Sequence, residues 1–136
     1  MKVLKSGDII YANTHADFLN KVFKTDYKGW MKCVWPYKGD TIVWMVRFNK
    51  IVDGWRNTFV KVNGEDRVKE ENVYHKETWN NNPVSCIHSR RIVIEVDDSS
   101  TFRKYVFRGV YTYLKNESDP YSIRYHKKES DEVTIY

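Results

Sequence analysis

Hydrophobic and polar residues alternate along residues 101–128 with the period of two that is typical of β-strands. In the first half, the aromatic residues between Tyr105 and Tyr113 share one face of the predicted strand, with Gly109 among them. A glycine inside a strand usually marks a bulge or a close approach of another backbone or a ligand. Turn-forming residues follow at 115–120, so the pattern predicts a hairpin whose second strand returns to residue 128.

Further strands are predicted wherever this alternation, or a run of β-branched and aromatic residues, recurs. Asp53 and Gly54 form a two-residue turn signal, which predicts that the segment after it pairs back on residues 41–48 as a hairpin. Asn63-Gly64 is a second such signal, but the polar residues 65–79 behind it show no clear period. The predicted strands are residues 9–12, 30–35 (ended by Pro36), 41–48, 55–62, 91–96 and 133–136.

One helix is predicted, over residues 16–24. Thr14 is a suitable N-cap, Asp17 follows three residues later, and four apolar residues then recur at helical spacing. Strands and helices do not alternate, which argues against a doubly wound parallel sheet. The expected fold is a single α+β domain of residues 1–136, mostly β, with a curved antiparallel sheet or partial barrel and one or two helices.

Positive charge is concentrated in parts of the chain. The 136 residues carry a net charge of +5, and residues 102–128 hold seven Lys or Arg against two Asp or Glu. The aromatic content is also high at 15%, with ten tyrosines and five tryptophans. A basic chain rich in aromatic residues fits a polyanionic partner such as nucleic acid.

Other classes of protein are less consistent with the sequence. No apolar run approaches the roughly 18 residues of a membrane span, and no hydrophobic segment follows the basic start of the chain. We therefore expect a cytoplasmic protein in which Cys33 and Cys86 are reduced thiols. Cys86 and His88 lack a second pair at zinc-site spacing, and no glycine-rich phosphate loop is present, so neither a metal nor a cofactor is predicted.

The predicted hairpin resembles a known family. Residues 105–111 read YVFRGVY, and after a loop residues 123–125 read IRY, a pattern similar to the last part of SRA domains. The opening residues 7–11, GDIIY, look like the Gly-Asp strand of the broader PUA-like β-barrels. Many of these barrels bind modified bases or RNA, and SRA domains flip a modified cytosine into a pocket between two aromatic residues. The resemblance implies a PUA/SRA-like barrel that reads modified bases, in a bacterial or phage setting.

Two groups of residues are candidates for base binding. Trp55, Arg56 and Asn57 follow a turn signal and combine a stacking ring with hydrogen-bonding side chains. Trp30 and Trp35 lie among lysines and are suited to a stacking platform in a basic groove. Burial in the core is the alternative explanation for each of these tryptophans.

Basic residues of the predicted hairpin are candidates for phosphate binding, because Lys and Arg supply sequence-independent affinity. Arg108 and Arg124 are expected to project from the faces without aromatic residues. A solvated charged surface is the alternative. The candidates for phosphate contact are Arg103, Lys104, Arg108, Arg124, His126, Lys127 and Lys128, of which all but His126 are assigned as phosphate-binding residues.

The sequence therefore favours a non-enzymatic nucleic-acid-binding module, with DNA preferred over RNA as partner and no catalytic residue assigned. A nuclease or nucleic-acid-modifying enzyme is the first alternative. His75, Asn80 to Asn82 and His88 show a superficial similarity to an HNH motif, but the ββα frame that binds the metal in such motifs is not visible in the sequence. A protein-interaction or inhibitor domain that uses the aromatic surface is the second alternative.

Overall fold

The structure is a computed structural model, and it describes residues 2–28, 34–74, 90–99, 102–119 and 121–136. These ranges contain strands, one α-helix and a short 3₁₀ helix. The elements are β1 (Lys2–Lys5), β2 (Ile9–Ala12), α1 (His15–Phe23), β3 (Val34–Lys38), β4 (Thr41–Val46), β5 (Ile51–Val52), β6 (Trp55–Val62), β7 (Glu65–Asn72), β8 (Arg90–Asp97), β9 (Arg103–Tyr113), the 3₁₀ helix (Lys115–Glu117), β10 (Ile123–Ser130) and β11 (Glu132–Ile135).

A curved nine-stranded sheet dominates the fold. Its order is β3-β4-β8-β9-β10-β7-β6-β5, and β2 pairs with β9 beside this path. The predicted curved, mostly antiparallel sheet or partial barrel is thereby confirmed, with one parallel pair within it. Strands β4 and β8 are parallel. Parallel neighbours need a long connection, and here it contains β5 to β7, which lie at the far side of the sheet.

The hairpin predicted between residues 41–48 and 55–62 does not form. Asp53 and Gly54 do make a tight turn, with positive φ angles of 53° and 85°. However, the strand before this turn is only the two-residue β5, and Asn49, at φ 64°, lies between it and β4. Strand β6 pairs along its whole length with β7 instead. The partner of β6 was therefore the segment that lacked a clear sequence period.

Helix α1 confirms the helix predicted at residues 16–24. The side chain of Thr14 accepts a hydrogen bond from the backbone N–H of Asp17 at 3.1 Å, and Lys24 ends the helix in a left-handed conformation at φ 55°. The apolar side of the helix packs on one face of the sheet. The buried core on this side comprises Leu4, Ala12, Phe18, Leu19, Val22, Phe23, Val43, Met45, Ile92, Ile94, Val96, Tyr105, Phe107, Val110 and Ile135.

The opposite, concave face of the sheet encloses a second interior. Phe48, just after β4, stacks on Phe59 of β6 with ring centroids 4.0 Å apart. The sheet therefore curves enough to bring β6 over the end of β4. The apolar part of this barrel interior comprises Trp44, Val46, Phe48, Val68, Val93 and Tyr111.

A bulge in β9 divides the aromatic residues between these two interiors. Val93 of β8 lies opposite Gly109, but the next residue, Ile94, lies opposite Phe107, so Arg108 is an extra residue in β9. The bulge predicted at Gly109 is confirmed. The prediction of a single aromatic face is wrong, because Phe107 faces α1 whereas Tyr111 faces the barrel interior.

Gly109 is required at the bulge by both conformation and space. Its φ is 123°, and an added Cβ would lie 2.9 Å from the carbonyl oxygen of Ser130. The neighbouring strand β10 is itself irregular between Lys128 and Ser130. The bulge therefore lets two backbones approach closely where the sheet bends.

The edges of the structure hold two more departures from the predictions. Pro36 does not end a strand but lies inside the edge strand β3, next to a register shift, where a missing N–H is tolerated. The predicted last strand pairs with β1, which had not been predicted, in a separate two-stranded sheet. Residues 30–33, where an earlier start of β3 was predicted, lie outside the described residues.

Candidate nucleic-acid interface

A row of polar side chains crosses three neighbouring strands inside the barrel. Asn57 of β6 lies opposite Glu70 of β7, and Glu70 lies opposite Arg124 of β10. Residues directly opposite in paired strands project from the same side of a sheet. These three side chains therefore share the concave face, and Trp55, paired with Asn72, lies in the next row.

Glu70 is the centre of a buried ion-pair cluster. One carboxylate oxygen, Oε1, lies 2.6 Å from Nε2 of His126 and 3.4 Å from Nη1 of Arg91. The other oxygen, Oε2, lies 3.6 Å from Nη1 of Arg124. All four residues are buried, and His126 is completely inaccessible at 0% exposure.

The pKa shifts define the protonation states of this cluster. Burial acts to raise the pKa of Glu70, but Arg91, the hydrogen bond from His126 and Arg124 outweigh it and lower that pKa to about 2. Burial and the charge of Arg91 lower the pKa of His126 to about 4. At neutral pH the carboxylate is therefore ionised and the imidazole is neutral, so Nε2–H of His126 donates to Glu70.

Two tryptophans flank the cluster, each under a guanidinium group. The central carbon of Arg124 lies 4.2 Å from the ring centroid of Trp55, and that of Arg91 lies 4.6 Å from the ring centroid of Trp44. At these distances the cations are attracted to the faces of the rings. Trp55 is only half-buried, so the cluster reaches the surface through this side chain.

The mouth of this end of the barrel is lined by further aromatic residues. Tyr74 and Tyr121 are 57% and 48% exposed. Tyr74 approaches the backbone of Gly54 closely, and the carbonyl oxygen of Tyr121 accepts a hydrogen bond from Nδ2 of Asn72 at 3.0 Å. Trp55 thus follows Gly54, which Tyr74 approaches, pairs with Asn72, and lies next to the buried polar interior. We call this region the polar end: Trp44, Trp55, Asn57, Glu70, Asn72, Arg91, Tyr113, Arg124 and His126.

The predicted group of Trp55, Arg56 and Asn57 is divided by the pleat of β6. Trp55 and Asn57 face the polar end, and Oδ1 of Asn57 is buried with no hydrogen-bond partner among the described residues. Arg56 is the residue between them and lies on the outer face, where its Nη2 is 3.0 Å from Oε1 of Glu71.

The second predicted base-binding pair does not join this site. Trp35 packs against the helix-side core, with its ring centroid 5.2 Å from that of Phe23, and its indole N–H donates to the hydroxyl of Tyr27. It therefore lies on the opposite side of the sheet from Trp55. Trp30 lies outside the described residues.

The predicted phosphate-binding residues do not form one face. Arg124 lies in the polar end, and Arg108 is held at 2.7 Å by Glu95. Lys127 is on the outer surface, where its Nζ lies 3.3 Å from Oε2 of Glu65. The others are dispersed: Lys128 contacts Asp131, Arg103 donates to the hydroxyl of Tyr105 at 3.3 Å, and Lys104 lies opposite Tyr11 and Asp97.

The other end of the barrel interior opens as a groove of about 560 Å³. Its walls include the stacked rings of Phe48 and Phe59 and the buried ring of Tyr111. Arg108 and Lys128 line it together with carboxylates, so its charges are largely compensated. Among the described residues, no group of His, Cys, Asp or Glu is arranged to hold a metal ion.

Sequence reasoning missed the charged centre of the polar end. Glu70 lies in the segment that was interpreted as polar and without a clear period, and His126 had been considered only as a candidate for phosphate contact, not as a buried partner of a carboxylate. One signal was available: the two-residue turn at Asn63-Gly64 fixes the β6–β7 register and places Glu70 opposite Asn57. A carboxylate opposite a candidate base-binding amide would then have been evident.

Comparison with known proteins agrees with this architecture. The family model of the SET and RING associated domain, or SRA domain, matches residues 1–135. The chain belongs to the SRA domain family. The resemblance seen in its last hairpin is confirmed, and with it the prediction of a nucleic-acid-binding module.

A solved structure shares the fold of this SRA domain. It is the 5-hydroxymethylcytosine-specific restriction enzyme AbaSI, with a TM-score of 0.68 and 24% sequence identity. The alignment covers 98% of this chain but 42% of that enzyme, so the chain spans less than half the length of AbaSI. Among curated proteins, none matches the chain significantly. No helix in the described part of the chain is long and apolar enough to cross a membrane.

Proposed function

We propose that this SRA domain binds double-stranded DNA and reads one modified base at the polar end of its barrel. The observation that carries the proposal is the position of Trp55, a half-buried ring next to buried hydrogen-bonding side chains. A base-reading site needs a flat apolar surface for stacking and polar groups for the edge of the base. The polar end has both the stacking surface and the polar groups, on neighbouring strands of the sheet.

Asn57 is the residue that we assign to the edge of the base. Its Oδ1 is buried without a partner among the described residues, and a buried polar atom left unpaired costs about 1–3 kcal/mol. A ligand that donates a hydrogen bond to Oδ1 removes this cost. Purine and pyrimidine edges offer such donors, which the backbone of DNA does not.

The remaining basic residues supply the contacts to phosphate in this proposal. Arg103, Lys104, Arg108, Lys127 and Lys128 reach the surface, and carboxylate partners on the surface exchange for phosphate at little cost. Arg124 is assigned to the base site instead, because it is 5% exposed and lies over Trp55.

The proposal is tested by titrating the protein with fluorescent duplexes of identical sequence that carry one cytosine, 5-methylcytosine, 5-hydroxymethylcytosine or N6-methyladenine. We expect one modified duplex to bind at least about 10-fold more tightly than the unmodified one, because a good base contact is worth about 1–3 kcal/mol. The matching RNA duplex is the control for DNA preference. Equal affinity for all duplexes would show that the domain does not read a modified base.

A further inference from the structure

The side chain of His126 makes the shortest contact in the buried cluster. Charge-assisted hydrogen bonds have heavy-atom distances of roughly 2.7–2.9 Å. The contact of Glu70 with His126, at 2.6 Å, is in the hydrogen-bonding range, whereas those with Arg91 and Arg124, at 3.4 and 3.6 Å, are longer. The imidazole therefore holds the carboxylate most directly.

The position of the carboxylate in turn affects the guanidinium that covers Trp55. His126 binds Oε1 of Glu70, which leaves Oε2 directed towards Arg124. Arg124 lies 4.2 Å above the ring of Trp55. A chain of three contacts thus connects His126 to the ring that is proposed to stack on a base.

His126 is itself held from two sides. Its ring centroid lies 5.5 Å from that of Trp44 and 5.4 Å from that of Tyr113. It lies opposite both Val68 and Tyr113 in the neighbouring strands. Because the ring is fixed by packing, its Nε2–H points at Glu70 without the entropic cost of ordering a flexible donor.

We infer that His126 is a positioning residue, which orients Glu70 and through it the stack of Arg124 on Trp55, so that the site is pre-organised for a base. This inference rests on the proposed function. Side chains that are locked by neighbours make binding sites more precise than side chains that must be ordered by the ligand. Removing the Nε2 donor should therefore weaken selective binding more than it weakens the fold.

Two amide substitutions separate positioning from packing. Both remove the ring between Trp44 and Tyr113, but the amide nitrogen of Gln reaches the place of Nε2, whereas that of Asn reaches only the place of Nδ1. For His126→Gln we expect affinity for the preferred modified duplex within about 3-fold of the wild type, and for His126→Asn a loss of about 10-fold or more. Both variants should show similar decreases in Tm.

The outcome that overturns the inference is a loss of affinity that follows Tm equally in both variants. A wild-type protein that does not distinguish the duplexes would refute the proposed function instead. In that case ¹H–¹⁵N NMR of the free protein still tests the positioning role, since the Trp55 indole and Arg124 Nε–H signals should move in His126→Asn and stay in His126→Gln.

A measurement on the wild type covers the case in which neither variant folds. The ¹⁵N shifts of the His126 ring should show a neutral imidazole protonated at Nε2 and bare at Nδ1, because Nε2 faces Glu70 and Nδ1 has no partner among the described residues. A proton on Nδ1 instead would overturn the inference, since His126 could not then donate to Glu70.

Discussion

The two faces of the sheet bury different kinds of side chain. Under α1, the core is almost entirely apolar, and its buried hydroxyl, that of Tyr105, is 2.8 Å from Nδ1 of His15. Inside the barrel, the apolar residues share the space with a carboxylate, two guanidinium groups and an imidazole. The sheet residues of the helix-side core come mainly from β4, β8 and β9, whereas Glu70, Arg124 and His126 lie on β7 and β10. The difference therefore depends on which strands line each interior as well as on the alternation of side chains along them.

This contrast separates the stability of the domain from its binding site. Apolar burial stabilises a fold by about 25 cal/mol for each Å² removed from water. Buried ion pairs, by contrast, are often no more stabilising than the apolar residues that could replace them. We therefore expect the helix-side core to contribute more to stability, and we propose that the charges of the polar end serve binding.

The largest expected effect comes from the helix-side core. Phe18 has 0% exposure and stacks on Tyr105 with ring centroids 4.6 Å apart. Phe18→Ala should reduce the free energy of unfolding by about 3–5 kcal/mol, measured by urea denaturation, while the folded fraction keeps its affinity for DNA. The matched control is Phe59→Ala, which should cost less because Phe59 is 42% exposed. Equal losses would show that the two faces contribute alike.

Trp55→Ala should show the opposite behaviour. A stacked base is worth about 1–3 kcal/mol, so the affinity for the preferred duplex should fall roughly 5- to 150-fold. The free energy of unfolding should fall less than in Phe18→Ala, since Trp55 is only half-buried. Trp35→Ala, on the helix side, is the control and should lower stability without a selective loss of binding. A large decrease in Tm with unchanged affinity would reassign Trp55 to packing.

Acid should destabilise the folded domain through His126 before Glu70 is protonated. The pKa of His126 is lowered from 6.5 to about 4, so the unfolded chain takes up a proton first as the pH falls below 6.5. Stability is therefore full above this value and is lost towards pH 4. Between pH 7 and pH 5 the loss from His126 should be about 2 kcal/mol.

His126→Gln is the control for this prediction, because it removes the titrating group and should flatten the pH dependence of urea denaturation. His15, whose pKa is also lowered to about 4 by burial and by Arg103 and Arg47, titrates in the same range in both proteins. An identical pH dependence in wild type and His126→Gln would mean that the imidazole is not held neutral.

The smallest effects are expected at the surface. Lys127→Ala breaks an exposed pair with Glu65 and should change stability by less than about 1 kcal/mol. If Lys127 contacts a phosphate, the slope of log K against log salt should fall by about 0.9, equally for modified and unmodified duplexes. Lys104→Ala provides the same test on β9. An unchanged slope would assign either lysine to the solvated surface.

Much of the candidate site could be predicted locally. Trp55 and Asn57 were recognised because a turn signal, a stacking ring and a polar amide stand together in the sequence. Their charged partners Glu70 and Arg124 were not recognised, because Glu and Arg usually lie at the surface. These two residues are buried here because β7 pairs with both β6 and β10. Arg56 stands between Trp55 and Asn57 in the sequence, but its side chain lies on the other face of the sheet.

The sequence by itself determined most of the strands, the helix with its Thr14 cap, the glycine bulge and the family, because these depend on periodicity and on residues close together in the chain. Only the tertiary structure decided which strands pair, that β4 and β8 run parallel, and that the bulge at Gly109 sends Phe107 and Tyr111 to opposite faces. The reason is physical: a shift of one residue reverses every side chain that follows it in a strand. The position of the polar end depends on that reversal and on the curl of the sheet.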